Sequence, residues 1–301
     1  MGPQPGQKTV LITGCTPGGI GHALAIEFHA KGLHVIATAR NPAVLSEMAA
    51  LSMTTLALDV TKADSIKTCH DEVSKLTGGK LDILVNNAGR THTHPATDID
   101  MADVRETFET NVFGVMAMCA GFADLLIAAR GLIINIASLA AITPYVFGSV
   151  YCATKAAVAA YSRTLRLELK PFGVRVMVAM TGTVRSQIAS KVHRTLPEGS
   201  LYQRVRGLFE RRLTFSQNTA TVDTKEYARK LVGKALAPEW PLLFRAWFGR
   251  PDWLWAGGMA GRTWWATWFG EWLLDFVLYR MIGMPELERV LREEERQKLL
   301  K

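Results

Sequence analysis

The short apolar run Thr9–Ile12 leads straight into Thr13-Gly-Cys-Thr-Pro-Gly-Gly-Ile-Gly21, and a helical pattern follows from His22 to Lys31. A strand, a glycine-rich loop and a helix in that order bring backbone N–H groups and a helix N-terminus against a phosphate, because glycine lets the ligand approach closely. That order confines the chain to the α/β folds that bind nucleotides at the carboxyl edge of a sheet. The candidate cofactor contacts in this turn are Gly14, Thr16, Gly18, Gly19 and Ile20.

The stretch that follows supports the same architecture. Gly32–Arg40 reads as a second strand that ends in a basic residue. An acid there would accept hydrogen bonds from the ribose of NAD, whereas Arg40 can pair with the 2′-phosphate of NADP, so the cofactor expected is NADPH. Thr55–Leu58 is a third strand, and Asp59 and Val60 after it would lie near an adenine; Asp59 serves equally well as a helix cap. A polar-amphipathic helix over 63–76 leads to the strand Leu81–Val85 and then to Asn86-Asn-Ala-Gly89. Side-chain amides such as Asn87 can tie strand ends together, while Ala88 and Gly89 leave room for a flat ligand. A helix over 101–129 carries Asn111 among Val112, Phe113 and Val115, a poor helix former in an apolar setting that suggests a buried polar task.

Leu132–Ile136 is a fifth strand and would deliver Ser138 at its carboxyl end; a sixth strand covers 173–179. The strict alternation of strand and helix from residue 9 to 170 predicts a Rossmann-type, doubly wound parallel sheet of about seven strands. Leu242–Phe248 is expected to be the last strand.

Tyr151 and Lys155 stand four residues apart on the helix after Ser138, so both project from one face. A free phenol titrates near ~10, and a neighbouring ammonium favours its ionised form, which makes the pair a candidate general acid/base.

Taken in order, the glycine turn, Asn86-Asn-Ala-Gly89, Asn111, Ser138 and Tyr151-x-x-x-Lys155 give the chain a resemblance to the classical short-chain dehydrogenase/reductases over about residues 8 to 250. The resemblance implies that Tyr151 protonates a carbonyl oxygen that Ser138 orients. It further implies that Lys155 lowers the tyrosine pKa and binds the nicotinamide ribose, and that Asn111 holds a water of the proton relay. Gly182 and Val184 would lie at the nicotinamide end, and a homo-oligomer, dimer or tetramer, is expected. Two departures stand out: the glycine turn is one residue longer than usual or shifts which glycine does which job, and Thr181 precedes Gly182 where many members have proline. Within the family, the turn, the Thr-Ala-Arg40 strand end and the aromatic tail are similar to 1-acyldihydroxyacetone-phosphate reductase-like proteins. That implies NADPH-dependent reduction of the ketone of a hydrophobic, acylated and anionic substrate to a secondary alcohol. The alternatives are a tailoring ketoreductase of secondary metabolism, a steroid- or retinol-type dehydrogenase, and a non-catalytic scaffold.

These elements divide the chain into a reductase domain, 1–250, with a substrate loop over 182–222, and an extension, 251–301. The loop carries Arg185, Lys191, Arg194, Arg204, Arg206, Arg211 and Arg212 against Glu198 and Glu210: either a lid for an anionic substrate or a set of solvated arginines. All eight tryptophans fall between Trp240 and Trp272, and Trp264, Trp268 and Trp272 recur at helical spacing. Two readings stay open for them, a membrane interface or packing on the protein core. The charged ending from Pro285 reads as a solvated amphipathic helix.

The net charge of +8 suits phosphorylated cofactor, anionic substrate or acidic lipid. Basic residues form no dense tract and no nucleic-acid motif, so no nucleic-acid partner is expected. Cys15, Cys69, Cys119 and Cys152 show no metal-ligand or disulfide spacing, which points to reduced thiols and no metal. With no signal-peptide pattern and no apolar run of transmembrane length, the expected location is intracellular, cytoplasmic or on the surface of the endoplasmic reticulum or lipid droplets.

Overall fold

The computed structural model describes residues 2–186, 194–219, 222–241, 244 and 249–300. Strands β1 (Thr9–Ile12), β2 (His34–Ala39), β3 (Thr54–Ala57), β4 (Ile83–Asn86), β5 (Leu132–Ile136) and β6 (Arg175–Thr181) come first, and all but the half-buried edge strand β3 are buried along most of their length. Their near-continuous apolar runs are what a parallel sheet covered on both faces requires. The helices between them are α1 (Ile20–Ala30), α2 (Ser46–Ala50), α3 (Ala63–Thr77), α4 (Met101–Phe108), α5 (Gly114–Gly121), α6 (Ala123–Ala129) and α7 (Ser149–Leu169). Short strands β7 (Val184–Arg185) and β8 (Val222–Asp223) pair beside the main sheet and flank α8 (Arg206–Asn218); α9 (Thr224–Ala235) follows. The chain ends in β9 (Trp253–Ala256), α10 (Ala260–Ala266), α11 (Glu271–Ile282) and α12 (Met284–Leu299).

The main sheet has the order β3-β2-β1-β4-β5-β6-β9, parallel throughout. Strand β1 pairs with β2 on one side and β4 on the other, so the winding reverses there and opens a crevice at the carboxyl ends of both strands. Alternation along β1 divides the core. Val10 and Ile12 pack with Leu24 and Phe28 of α1 and with Tyr227 and Leu231 of α9, while Leu11 packs on the other face with Ile66, Val115, Met118 and Val158.

Two expected elements differ. The seventh strand is Trp253–Ala256, in register with Val178–Thr181, so the sheet is completed by what the sequence assigned to the extension. Of the expected strand over 242–248, only residue 244, in a turn, lies within the described residues. The expected helix over 101–129 is three helices: a π-helical turn at Glu109–Phe113 separates α4 from α5, and a 53° bend lies at the break before Ala123. No single helix among the described residues is long and apolar enough to cross a membrane, and this bent segment is apolar because Val112, Val115, Met118, Phe122 and Leu126 fill the core.

The tail packs in one part and not in another. Met284, Leu287 and Val290 of α12 cover Phe147, Leu208 and Phe209. Trp253 and Trp255 lie against the core around Val178 and Met180, whereas Trp264, Trp265, Trp268 and Trp272 are all exposed, Trp268 at 74%.

Candidate active site

A cavity of about 1210 Å³ runs along the carboxyl edge of the sheet. At one end it is lined by Gly14, Thr16, Gly19, Ile20, Arg40, Asp59 and Val60. Asn87, Ala88, Gly89, Ser138, Tyr151, Lys155, Gly182 and Val184 continue it, so the sequence candidates converge on one wall, with two exceptions.

The first exception is Gly18. It takes a left-handed conformation, φ +74°, and does not line the cavity; Gly19 N-caps α1 and does. The close approach of α1 to the strand ends belongs instead to Gly21, where a Cβ would stand 2.5 Å from both Asn87 Nδ2 and Gly14 O. Asn87 Nδ2 donates to Thr13 O at 2.9 Å and Gly14 O at 3.0 Å, and the Thr13 hydroxyl accepts from the N–H groups of Asn87 and Ala88. The amide therefore ties β1 to β4 as its position at a strand end suggested.

Asn111 is the second exception. It is fully buried behind the wall, in the π turn, where Oδ1 accepts from Arg90 N at 2.8 Å and Nδ2 donates to Arg90 O at 2.9 Å and Thr154 Oγ1 at 3.2 Å. Its polar task in this structure is to hold the main chain of Arg90, which lines the cavity.

Arg40 stands exposed at the end of β2 with Asp59 nearby. Burial works to raise the Asp59 pKa, but hydrogen bonds from Thr61 and the charges of Arg40 and Lys62 bring it below the usual value. Asp59 thus has a local turn-forming role as well as a place on the cavity wall.

At the middle of the cavity, Lys155 is 7% exposed and its Nζ donates to Ile136 O at 2.9 Å. Burial lowers its pKa to about 8. Burial also pushes the Tyr151 phenol up to about 12, against the smaller opposing effects of the Ser138 hydroxyl and the Arg212 charge. This corrects the expected depression by Lys155: the ammonium is spent on a main-chain carbonyl and lies 5.8 Å from the Tyr151 ring centre. At neutral pH the phenol is protonated, the form that can give a proton away.

The far end of the cavity holds residues that sequence reasoning did not single out: His92, Tyr145, Leu213 and Gln217, with Arg194 and Arg212 from the basic segment. His92 Nε2 lies 3.1 Å from Asp103 Oδ2 but outside hydrogen-bond geometry, and burial, followed by the Arg194 charge, lowers its pKa to about 4 against the opposing Asp103 charge. Arg194 donates to Asp103 at 2.7 Å and to Thr91 O. The basic segment thus divides: Arg204, Arg206 and Arg211 pair with Glu294, Glu210 and Glu286 at the surface, and among the described residues of the segment only Arg194 and Arg212 reach the cavity. Arg185 lies in β7, and Lys191 is outside the described residues.

Sequence and structure comparisons identify the family. The short chain dehydrogenase family model matches residues 8–197. The chain is 42% identical over 266 residues to an NADPH-dependent 1-acyldihydroxyacetone phosphate reductase of Schizosaccharomyces pombe, covering 85% of this chain and 88% of that one. A short-chain dehydrogenase from Streptomyces avermitilis superposes with a TM-score of 0.73 at 26% identity, covering 94% of this chain and 97% of its own. The closed form of a serine dehydrogenase complexed with NADP+ superposes at 0.66 with 27% identity, over 82% and 93% of the two chains. The chain belongs to the short-chain dehydrogenase family of oxidoreductases.

Proposed function

We propose that this chain is an NADPH-dependent carbonyl reductase that converts the ketone of a hydrophobic substrate to a secondary alcohol. The observation that carries the reading is the convergence of Ser138, Tyr151 and Lys155 on one cavity wall, continuous with a glycine cradle that ends at Arg40. The cradle fits the cofactor: Gly14, Thr16, Gly19 and Ile20 at the start of α1 suit a pyrophosphate, and Arg40 a 2′-phosphate. Asp59 and Val60 would flank the adenine, and Asn87, Ala88, Gly89, Gly182 and Val184 the nicotinamide end. When bound, NADPH supplies the hydride.

The chain's own residues handle the proton. Tyr151, kept protonated by burial, gives its proton to the ketone oxygen, and the Ser138 hydroxyl orients that oxygen. Lys155 keeps its charge at neutral pH and, lining the same cavity, can hydrogen-bond a ribose hydroxyl.

Consumption of NADPH screened over acylated dihydroxyacetone phosphates, steroids and polyketide ketones tests the reading. Turnover with at least one hydrophobic ketone is expected; NADPH binding without reduction of any of them would instead support a scaffold. A second reading, contact with a lipid interface, is supported by the exposure of Trp264, Trp265, Trp268 and Trp272, which the chain's own core leaves uncovered.

A further inference from the structure

Arg212 differs from Arg194, with which it shares the far end of the cavity, and from Arg204, Arg206 and Arg211 at the surface. Arg194, Arg204, Arg206 and Arg211 each stand within ion-pair distance of a carboxylate. Among the described residues, none stands so beside Arg212. Its guanidinium is held by other means: Nε donates to Val146 O at 3.1 Å, and the group stacks 4.5 Å from the Tyr145 ring centre. The Phe215 ring centre lies 6.0 Å away on its other contact. The cation is part-buried, and burial lowers its pKa, yet guanidinium keeps its proton in proteins. A cation withdrawn from water without a counter-charge is unfavourable, and aromatic stacking offsets only a part of that.

The loop that grips Arg212 is itself strained. Phe147, next to Val146, takes φ +62°, a left-handed conformation that a bulky side chain avoids. Burial of its ring among Leu196, Val205, Leu208 and Phe209 holds it there. Backbone strain of this kind persists where the surroundings over-determine it, commonly at ligand clamps. The same loop carries Tyr145, which lines the cavity together with Arg212, Tyr151 and Ser138.

We infer that Arg212 is a specificity-determining residue that binds an anionic oxygen group of the substrate, a phosphate or a carboxylate, beside the reacting ketone. The assignment rests on the reductase reading of this cavity. A guanidinium suits such a group because its N–H fork matches the paired oxygens of both. Tyr145 and Val146 pre-orient it, so little side-chain freedom is lost when the anion arrives.

Calorimetric binding of octyl phosphate, octanoate and octanol to the protein saturated with NADP+ tests this without requiring turnover. Saturation keeps the anions out of the cofactor's phosphate cradle, and the two anions separate phosphate from carboxylate recognition. The wild type is expected to bind at least one anion roughly tenfold or more tighter than octanol. Arg212→Met should abolish that preference while leaving octanol affinity unchanged, and Arg212→Lys should keep part of it. Arg206→Met removes the same charge from the surface and should leave the preference intact. Equal wild-type affinity for all three probes would overturn the inference, as would equal loss of all three in Arg212→Met or loss of the preference in Arg206→Met. Failure of the ketone screen with the anion preference intact would sink the reductase reading alone.

Discussion

The Lys155 Nζ donates to the main-chain carbonyl of Ile136 at 2.9 Å and lies 5.8 Å from the centre of the Tyr151 ring. The helix spacing that places the two residues on one face therefore does not join them directly. Lys155 is anchored to the end of β5, and the phenol is governed first by its burial.

This arrangement gives opposite pH effects on rate and stability. The Lys155 pKa falls to about 8 in the folded chain, from the ordinary lysine value of 10.5. Between those values the unfolded chain holds a proton that the folded chain has released, so stability rises with pH across that window. The reductase rate should move the other way and decline as pH passes about 8, because the charged lysine is lost. A pH profile of kcat/KM alongside thermal midpoints checks both; a rate that stays level from pH 7 to 10 would contradict the role of Lys155.

Arg40→Asp should weaken NADPH relative to NADH by about 10–100-fold, the loss of one charge-assisted interaction plus a new repulsion. Cofactor titration by fluorescence reads the ratio directly. An unchanged ratio would remove Arg40 from the 2′-phosphate site.

Gly21→Ala should abolish cofactor binding or folding, since its Cβ would fall 2.5 Å from Asn87 Nδ2 and Gly14 O. Gly18→Ala is strained by its positive φ but touches no cavity wall, and should retain cofactor binding at reduced stability. Measured NADPH affinities that rank the two variants in the reverse order would refute this division of roles.

How far the site could be read from the chain differs by residue. Gly14, Arg40 and Ser138 were legible because strand ends in a doubly wound sheet define one edge, and Tyr151 because its spacing from Lys155 marks one face of the following helix. The role of Gly21 was not, because the contact that demands glycine there is with Asn87, distant in sequence. Strand β9 escaped notice because its two half-buried tryptophans alternate with Leu254 and Ala256 and blend into the aromatic stripe that follows. Arg212 looked like one more charge in a basic run; only the placement of partners on α12 and α4 distinguishes neutralised arginines from it.

His92 adds an acid-side dependence. Its pKa is lowered from 6.5 to about 4, first by burial and then by Arg194, so in that window the unfolded chain takes up a proton that the folded chain refuses. Stability should therefore fall as pH drops from about 6.5 towards 4, and His92→Gln should flatten the slope. Thermal midpoints at pH 7 and 5 for both proteins check this; parallel slopes would count against it.

The most direct test of the proposed chemistry is the turnover of Tyr151→Phe on whichever ketone the wild type reduces, measured together with NADPH affinity. Loss of the phenolic proton donor should lower kcat by about 100- to 10,000-fold while NADPH affinity stays within a factor of about three. Turnover near the wild-type rate in this variant would contradict Tyr151 as the acid.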